Sequence, residues 1–211
     1  MTRMRTGLLA GMALAAALWS GAAAAGERYG FVSMGLGAAR HQFDTAALGG
    51  PGRVREAFEA GGASLGVGIG WRDVARLGEM PVDIEVEARA SRTESFARGS
   101  HSYVLARQQV GVAAWATLAE GGGVRVQAGL GAGARRLAIT YRDGALSRFD
   151  VDRAPYAMAG LRGVREMGDG RRGFVELRYT VHPTPKGPGQ TASIEHEMND
   201  LEVLLGVQQA F

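Results

Sequence analysis

Apolar and polar residues alternate one for one along much of the chain, most plainly between Ser64 and Trp71. There Leu65, Val67, Ile69 and Trp71 share one register, while Ser64, Gly66, Gly68 and Gly70 share the other. Successive side chains of a strand point to opposite faces, so a period of two predicts a strand with one apolar face. The pattern returns with charge from Val82 to Ser91, where Val82, Ile84, Val86, Ala88 and Ala90 alternate with Asp83, Glu85, Glu87, Arg89 and Ser91. Six further segments fit the template. The first runs from about Tyr29 to Ala39 with Val32, Met34, Leu36 and Ala38 together, and the fourth from Tyr103 to Leu118 with Val104, Ala106, Val110, Val112 and Ala114. The fifth opens at Val124 and presents Val126, Ala128, Leu130 and Ala132; the sixth spans Tyr156 to Val164. The seventh, Phe174 to Val181, sets Val175, Leu177, Tyr179 and Val181 against Glu176, Arg178 and Thr180. The eighth begins between Ser193 and Asp200 and carries Leu201, Val203, Leu205, Val207 and Phe211 in one register.

An even number of strands joined in sequence predicts an up-and-down sheet with both ends of the chain on one side, and hence short turns on that side and longer connections on the other. Glu120–Gly123 and Met167–Gly170 read as short turns, and Arg72–Pro81 as a longer one. The opposite connections are expected at Arg40–Gly62, Ser95–Ser102, Asp143–Arg153 and Pro183–Ala192. Aromatics cluster at the strand ends: Tyr29, Trp71, Trp115, Phe174 and Phe211 at the turn side, and Phe43, Phe96, Tyr103, Tyr141 and Tyr156 at the other. Such clusters predict two aromatic girdles, although Trp115 falls on the inward register and Phe31 and Tyr179 stand apart.

The chain opens with Arg3 and Arg5, an apolar run from Gly7 to Trp19, and small residues from Ser20 to Ala25. This is the build of a secretory signal peptide cleaved after Ala23-Ala24-Ala25, because the run is shorter than the ~20 apolar residues a helical span needs. Removing residues 1–25 of 211 leaves 186, the size of one barrel domain from Gly26 to Phe211. The chain has no cysteine, which excludes disulfides and thiolate chemistry. His41, His101, His182 and His196 show no metal-ligand spacing. The formal charge of +3 becomes +1 without Arg3 and Arg5, and no basic run suggests nucleic acid.

A soluble barrel or sandwich shows the same alternation with its apolar face turned inward. Three features point instead to an apolar face turned toward lipid: the stripe ending in Phe211, the glycines opposite so many apolar positions, and the lack of residues for a large core. The expected fold class is all-β, an eight-stranded antiparallel up-and-down transmembrane β-barrel preceded by a cleaved signal peptide. At this point the chain resembles the small eight-stranded outer-membrane barrels of the OmpA-like and opacity-type superfamily. Tyr29-Gly30-Phe31-Val32-Ser33-Met34-Gly35-Leu36-Gly37 looks like that family's opening strand, and Ala128-Gly129-Leu130-Gly131-Ala132-Gly133 like its Gly-alternating fifth. Val175-Glu176-Leu177-Arg178-Tyr179-Thr180 is similar to its penultimate strand, with Glu and Arg inward. Leu204-Leu205-Gly206-Val207 followed by Phe211 resembles its assembly signal, carried here by Leu205, Val207 and Phe211, with Gln209 departing from the apolar residue usual at that place. The resemblance covers essentially the whole chain after the leader. It implies Sec-dependent export to the outer membrane of a Gram-negative bacterium and contact with the barrel-assembly machinery.

The inward registers collect Asp83, Glu85, Glu87, Glu176 and Glu202 against Arg89, Arg107, Arg125, Arg135, Arg162 and Arg178. Buried charges are costly unless paired, so this near-balance predicts a lumen laced and plugged by ion pairs, centred on Asp83, Glu85, Glu87, Arg89, Arg107, Glu176 and Arg178. Such a barrel is expected to serve a structural, envelope-integrity or adhesin-like surface role rather than catalysis. The alternative is a narrow gated porin, in which rearranged pairs open a path for small solutes. A third reading, a lipid A-modifying enzyme, has His182, Thr184, Ser193, Glu195 and His196 as candidates. His182-Pro183-Thr184 lacks a His-x-Ser pairing, and Glu195 and His196 alternate across a strand, so no nucleophile and base are assembled. No catalytic, cofactor-binding or metal-ligating set emerges. The expected partners are outer-membrane lipids, lipopolysaccharide and a host or cell-surface ligand of the outer loops. Arg40, Arg53, Arg55, Arg92 and Arg98 lie near the outer rim as phosphate donors. The first loop, with Arg53, Arg55, Glu56 and Glu59 around Val54, Ala57 and Phe58, reads as solvated loop or a short helical turn.

Overall fold

In a computed structural model, which describes residues 26–44, 55–95, 101–143, 146–182 and 197–211, the chain forms eight strands closed into one ring. They are β1 (Arg28–Asp44), β2 (Arg55–Leu77), β3 (Met80–Ser95), β4 (His101–Gly121), β5 (Val124–Asp143), β6 (Leu146–Gly168), β7 (Arg171–His182) and β8 (Glu197–Ala210). Each strand is antiparallel to its sequence neighbours, and β1 closes on β8 from Tyr29↔Ala210 to Gln42↔Glu197. Closure gives every strand a partner on both sides through the body of the wall, while the outer parts of β2 and β6 pair only with β1 and β5.

Turn chemistry sets the geometry of one end. Gly122 and Gly123 both have positive φ (59° and 74°), and Asp169 and Gly170 follow the same pattern (52° and 71°). A two-residue hairpin loop with both central residues in the left-handed region matches the twist of the flanking strands, which is why Gly-Gly and Asp-Gly stand there. Three register shifts, at Trp71/Ala75, Thr117/Ala119 and Glu166/Gly168, lie at this same end. We call it the turn end and the opposite one the loop end.

Three connections differ from the sequence expectation. Arg72–Pro81 is not a long turn: after the bulge, Ala75↔Val82, Arg76↔Pro81 and Leu77↔Met80 continue the ladder, and only Gly78 and Glu79 turn. Arg40–Gly62 is largely strand, pairing out to Asp44↔Arg55, so Arg55–Phe58 are neither loop nor helical turn. Asp143–Arg153 likewise pairs from Arg136↔Arg153 to Asp143↔Leu146. In all three the backbone ladder persists where the apolar alternation has lapsed. The expected leader and the expected connection Pro183–Ala192 lie outside the described residues.

The two faces of the wall differ sharply. Val32, Met34, Leu36, Leu65, Val67, Ile69, Leu130, Leu161, Val175, Leu205 and Val207 are exposed, whereas the alternate positions are buried. On β6 the outward apolar run from Pro155 to Gly163 is bounded by exposed Arg153 and Arg165. The twelve residue-to-residue steps from Arg153 to Arg165, at ~3.3 Å each along a strand tilted by ~40°, span about 30 Å of height, the scale of an outer-membrane apolar band. On β8, Leu201 to Val207 is bounded by Asn199 and Gln209, and on β2, Ala63 to Trp71 by Glu59 and Asp73.

The aromatics are distributed otherwise than two lipid-facing girdles require. Tyr29, Phe31 and Phe174 point inward and pack with Val164 near the turn end. Trp115 packs with Ala113 and Met158, with Tyr156 against them. Of the turn-side group, only Trp71 and Phe211 remain on the outward register; at the loop end Tyr103 is fully buried. Phe43 and Tyr141 lie in β1 and β5, and Phe96 lies outside the described residues. The cause is phase, since a residue at a strand end reaches lipid only on the odd or even register that faces out.

Candidate functional site: the charged lumen

Strand β3 supplies a spine to the interior, because Asp83, Glu85, Glu87, Arg89, Ser91 and Thr93 occupy consecutive inward positions. Around this spine the side chains form tiers.

At the turn end, the Arg72 guanidinium pairs with the Glu27 carboxylate, donates to Gln208 Oε1 at 3.0 Å and lies 4.6 Å from the Tyr29 ring centroid. Arg172 reaches Glu27 at 2.9 Å and Glu166 at 3.2 Å, while Arg125 approaches Glu120 at 3.1 Å, Asp73 at 3.2 Å and Asp83 at 3.7 Å. Between these groups lies a polar cavity of about 220 Å³ open to the turn end.

The next tier centres on Glu85. Its carboxylate accepts the Tyr29 hydroxyl at 2.7 Å, the Trp115 indole N–H at 2.9 Å and Arg162 Nη1 at 2.6 Å. Arg162 also stacks over Trp115 at 4.2 Å and donates through Nε to Gln127 at 2.8 Å. Gln127 passes the chain on to Asp83 at 2.8 Å. Above it, Glu87 receives Arg89 and, at 2.7 Å, Arg178 Nη1; Arg178 Nε donates to Glu176 at 2.5 Å, and Arg89 Nη1 to Ser64 at 3.0 Å. Nearest the loop end, Arg107 pairs with Asp200 and donates to Ser91 and Thr93, each at 3.0 Å. Arg107, Asp200 and Glu202 border a void of about 10 Å³, room for one water at most.

The structure thus places Asp83, Glu85, Glu87, Arg89, Arg107, Arg162, Glu176 and Arg178 in the interior as a stack of separately paired tiers, with Arg125 at the lower rim and Arg135 and Glu202 buried nearer the loop end. It adds Arg72 and Asp200, both buried and both missed by the sequence reading. Arg72 had been placed in a turn because the bulge after Trp71 interrupts the alternation; Asp200 sits where β8 is still polar on both registers. The inward register of each neighbour was the available signal: Arg72 is two after Gly70, and Asp200 two before Glu202. Two pairs join strands four apart in the ring of eight, Arg178 with Glu87 across β7 and β3 and Arg107 with Asp200 across β4 and β8. These groups tie opposite walls together.

The other predicted residues lie apart from this stack. Leu205, Val207 and Phe211 stand on the outward stripe of the β8 segment. Arg92 is outward, exposed and held by Glu94 at 2.7 Å. Arg40 and Arg55 lie in β1 and β2, and His182 ends β7. Arg53, Arg98, Thr184, Ser193, Glu195 and His196 lie outside the described residues. Among the described residues, no group of three or more His, Cys, Asp or Glu could hold a metal ion.

No protein-family model and no curated protein matches the chain. Solved structures do. Neisserial surface protein A aligns over 86% of this chain and 97% of its own, at 13% identity and a TM-score of 0.51. The fold is that of a small outer-membrane β-barrel. Ail of Yersinia pestis (88% of this chain, 99% of its own, 13% identity, TM-score 0.43) and the outer-membrane protein AlkL (88%, 90%, 18%, 0.46) also align, more loosely. At these identities the likeness concerns the fold alone.

Proposed function

We propose that this chain is an outer-membrane barrel of a Gram-negative bacterium, exported through the Sec pathway and inserted by the barrel-assembly machinery. Its work is done at its outer surface: a structural, envelope-integrity or adhesin-like role rather than transport through the lumen. The observation that carries this reading is the cross-barrel pairing of Arg178 with Glu87 and Arg107 with Asp200. A solute moving down the axis must separate buried charges from their partners, each separation leaving a charge unpaired in a low-dielectric interior. The turn-end cavity reaches in to Asp83, Gln127 and Gln208, beyond which Glu85 is closed over by Tyr29, Trp115 and Arg162.

Surface presentation is supported by the hairpins β1–β2 and β5–β6, whose ladders continue to Asp44↔Arg55 and Asp143↔Leu146. At the loop-end boundary of the apolar band, outward Arg136 and Arg153 stand directly opposite each other. Outward guanidinium groups at that level are bidentate donors suited to the phosphates of lipopolysaccharide. The test is single-channel recording of the refolded protein in planar bilayers. The expected record is silent; sustained, reproducible conductance steps would overturn the sealed lumen and restore the porin reading.

A further inference from the structure

Near the turn end, the outward surface of β6, β7, β8, β1 and β2 is hollowed by a groove of about 1100 Å³. The hollow arises because two neighbouring strands present glycine to the outside at diagonally adjacent positions, with the Met167 side chain over the second of them, Gly173. Gly163 on β6 is paired with Val175, and Gly173 on β7 lies between Arg165 and Val207. Apart from Ser33, which is buried on the inward register, and the charged Arg165 and Glu166, the rest of the lining is apolar, including Val32, Met34, Leu205 and Met167. A side chain at Gly163 would meet nothing within 4 Å, so the space there belongs to no other part of the protein.

The groove is apolar along its length and cationic at its rim. Arg165 lines it at the boundary of the apolar band and is exposed. Arg172 and Arg125 are held by carboxylates, whereas the Arg165 guanidinium makes no hydrogen bond or ion pair with any described residue. Glu166, the carboxylate on the same rim, is engaged by Arg172 at 3.2 Å. Exposed Arg171 stands near that level on β7, hydrogen-bonded to Gln209 at 3.1 Å. An apolar trough ending in an uncompensated guanidinium complements an amphiphile with an anionic head and a hydrocarbon tail.

We propose that this groove is a phospholipid site: one acyl chain of a periplasmic-leaflet phospholipid lies over Gly163, beside the Met167 side chain that covers Gly173, with its phosphate on Arg165. The inference rests on the outer-membrane reading, which places the turn end at the periplasmic leaflet.

Native mass spectrometry of the refolded protein in nonionic detergent, titrated with palmitoyl-oleoyl phosphatidylglycerol, tests it. The wild type should retain one lipid. Gly163→Leu fills the trough from a position with free space, and Arg165→Gln removes the cation; each should weaken retention about tenfold, the scale of one lost charge-assisted hydrogen bond. Both variants should keep the heat-dependent gel shift of a folded barrel. Equal lipid retention by all three proteins would overturn the site while leaving the outer-membrane reading intact. Failure of the wild type to insert into phospholipid vesicles would overturn that reading instead. A dimer lost on Gly163→Leu, with no lipid retained by the wild type, would assign the groove to a second copy of the chain and overturn the lipid.

Discussion

Tyr29, Phe31, Trp115, Tyr156 and Phe174 each face a glycine directly across the ladder: Gly70, Gly68, Gly129, Gly133 and Gly206 respectively. An eight-stranded interior is narrow, and a ring fits flat against the wall only where the neighbouring inward residue has no side chain. A Cβ at Gly129 would sit 2.6 Å from Trp115 Cδ2, while a Cβ at Gly160 would sit 2.9 Å from its Cη2, so the ring is hemmed on both sides. Gly129→Ala should therefore cost about 1–3 kcal/mol by overpacking, read as a lower denaturant midpoint in micelles. Gly163→Ala, outward and uncrowded, should change stability by less than ~0.5 kcal/mol; equal effects would refute the glycine–ring account. Glu85 supplies a second test. Arg162→Leu strands its carboxylate in the interior at a cost of about 3–5 kcal/mol, and adding Glu85→Gln should recover much of that loss, because the amide oxygen can still accept from the Trp115 indole N–H while the amide NH2 donates to the Tyr29 hydroxyl, which turns to accept. A double-mutant cycle by equilibrium unfolding gives the coupling, and strict additivity would contradict it.

The strands are unequal: β2 and β6 have 23 residues each, while β7 has 12 and β8 has 14. A tilted span needs only ~9–11 residues, so the surplus of the long strands stands beyond the apolar band. This explains what could be read in advance. Between the bounding polar residues every outward position must be apolar, so Leu65–Trp71 and Val175–Val181 announced their phase. Past the band both faces are wet, the constraint lapses, and the outer parts of β1, β2, β5 and β6 looked like loops although their backbones remain paired. The inward tiers were legible as a list of charged residues on one register. Their partners were not, since Arg107 and Asp200 are 93 residues apart and meet only when the ring closes. If the surplus ladder is dispensable for the barrel, replacing residues 138–151 with Asn-Gly, a two-residue turn between the paired Leu137 and Asp152, should leave folding intact. The check is retention of the heat-dependent gel shift; its loss would mean that the upper hairpin helps hold the barrel.

At the scale of the whole molecule, the question is which face of the wall meets lipid, since a soluble barrel would bury the face that is exposed here. Residues 26–211 contain two tryptophans, and they stand on opposite faces: Trp71 on the outward register near the turn-end boundary, Trp115 fully buried beside Glu85 and Arg162. Bromine on a lipid acyl chain quenches indole fluorescence only at close range, so brominated vesicles separate the two. The wild type should lose a substantial part of its emission. Trp71→Phe, which keeps an aromatic ring at the membrane boundary and leaves Trp115 as the reporter in the protein without its leader, should be nearly insensitive. Both proteins must first show the gel shift, so that an unfolded chain lying on the vesicle surface is not mistaken for a barrel. Strong quenching of Trp115 in the folded variant would turn the wall inside out, and with it the assignment of Asp83, Glu85 and Arg162 to a sealed interior.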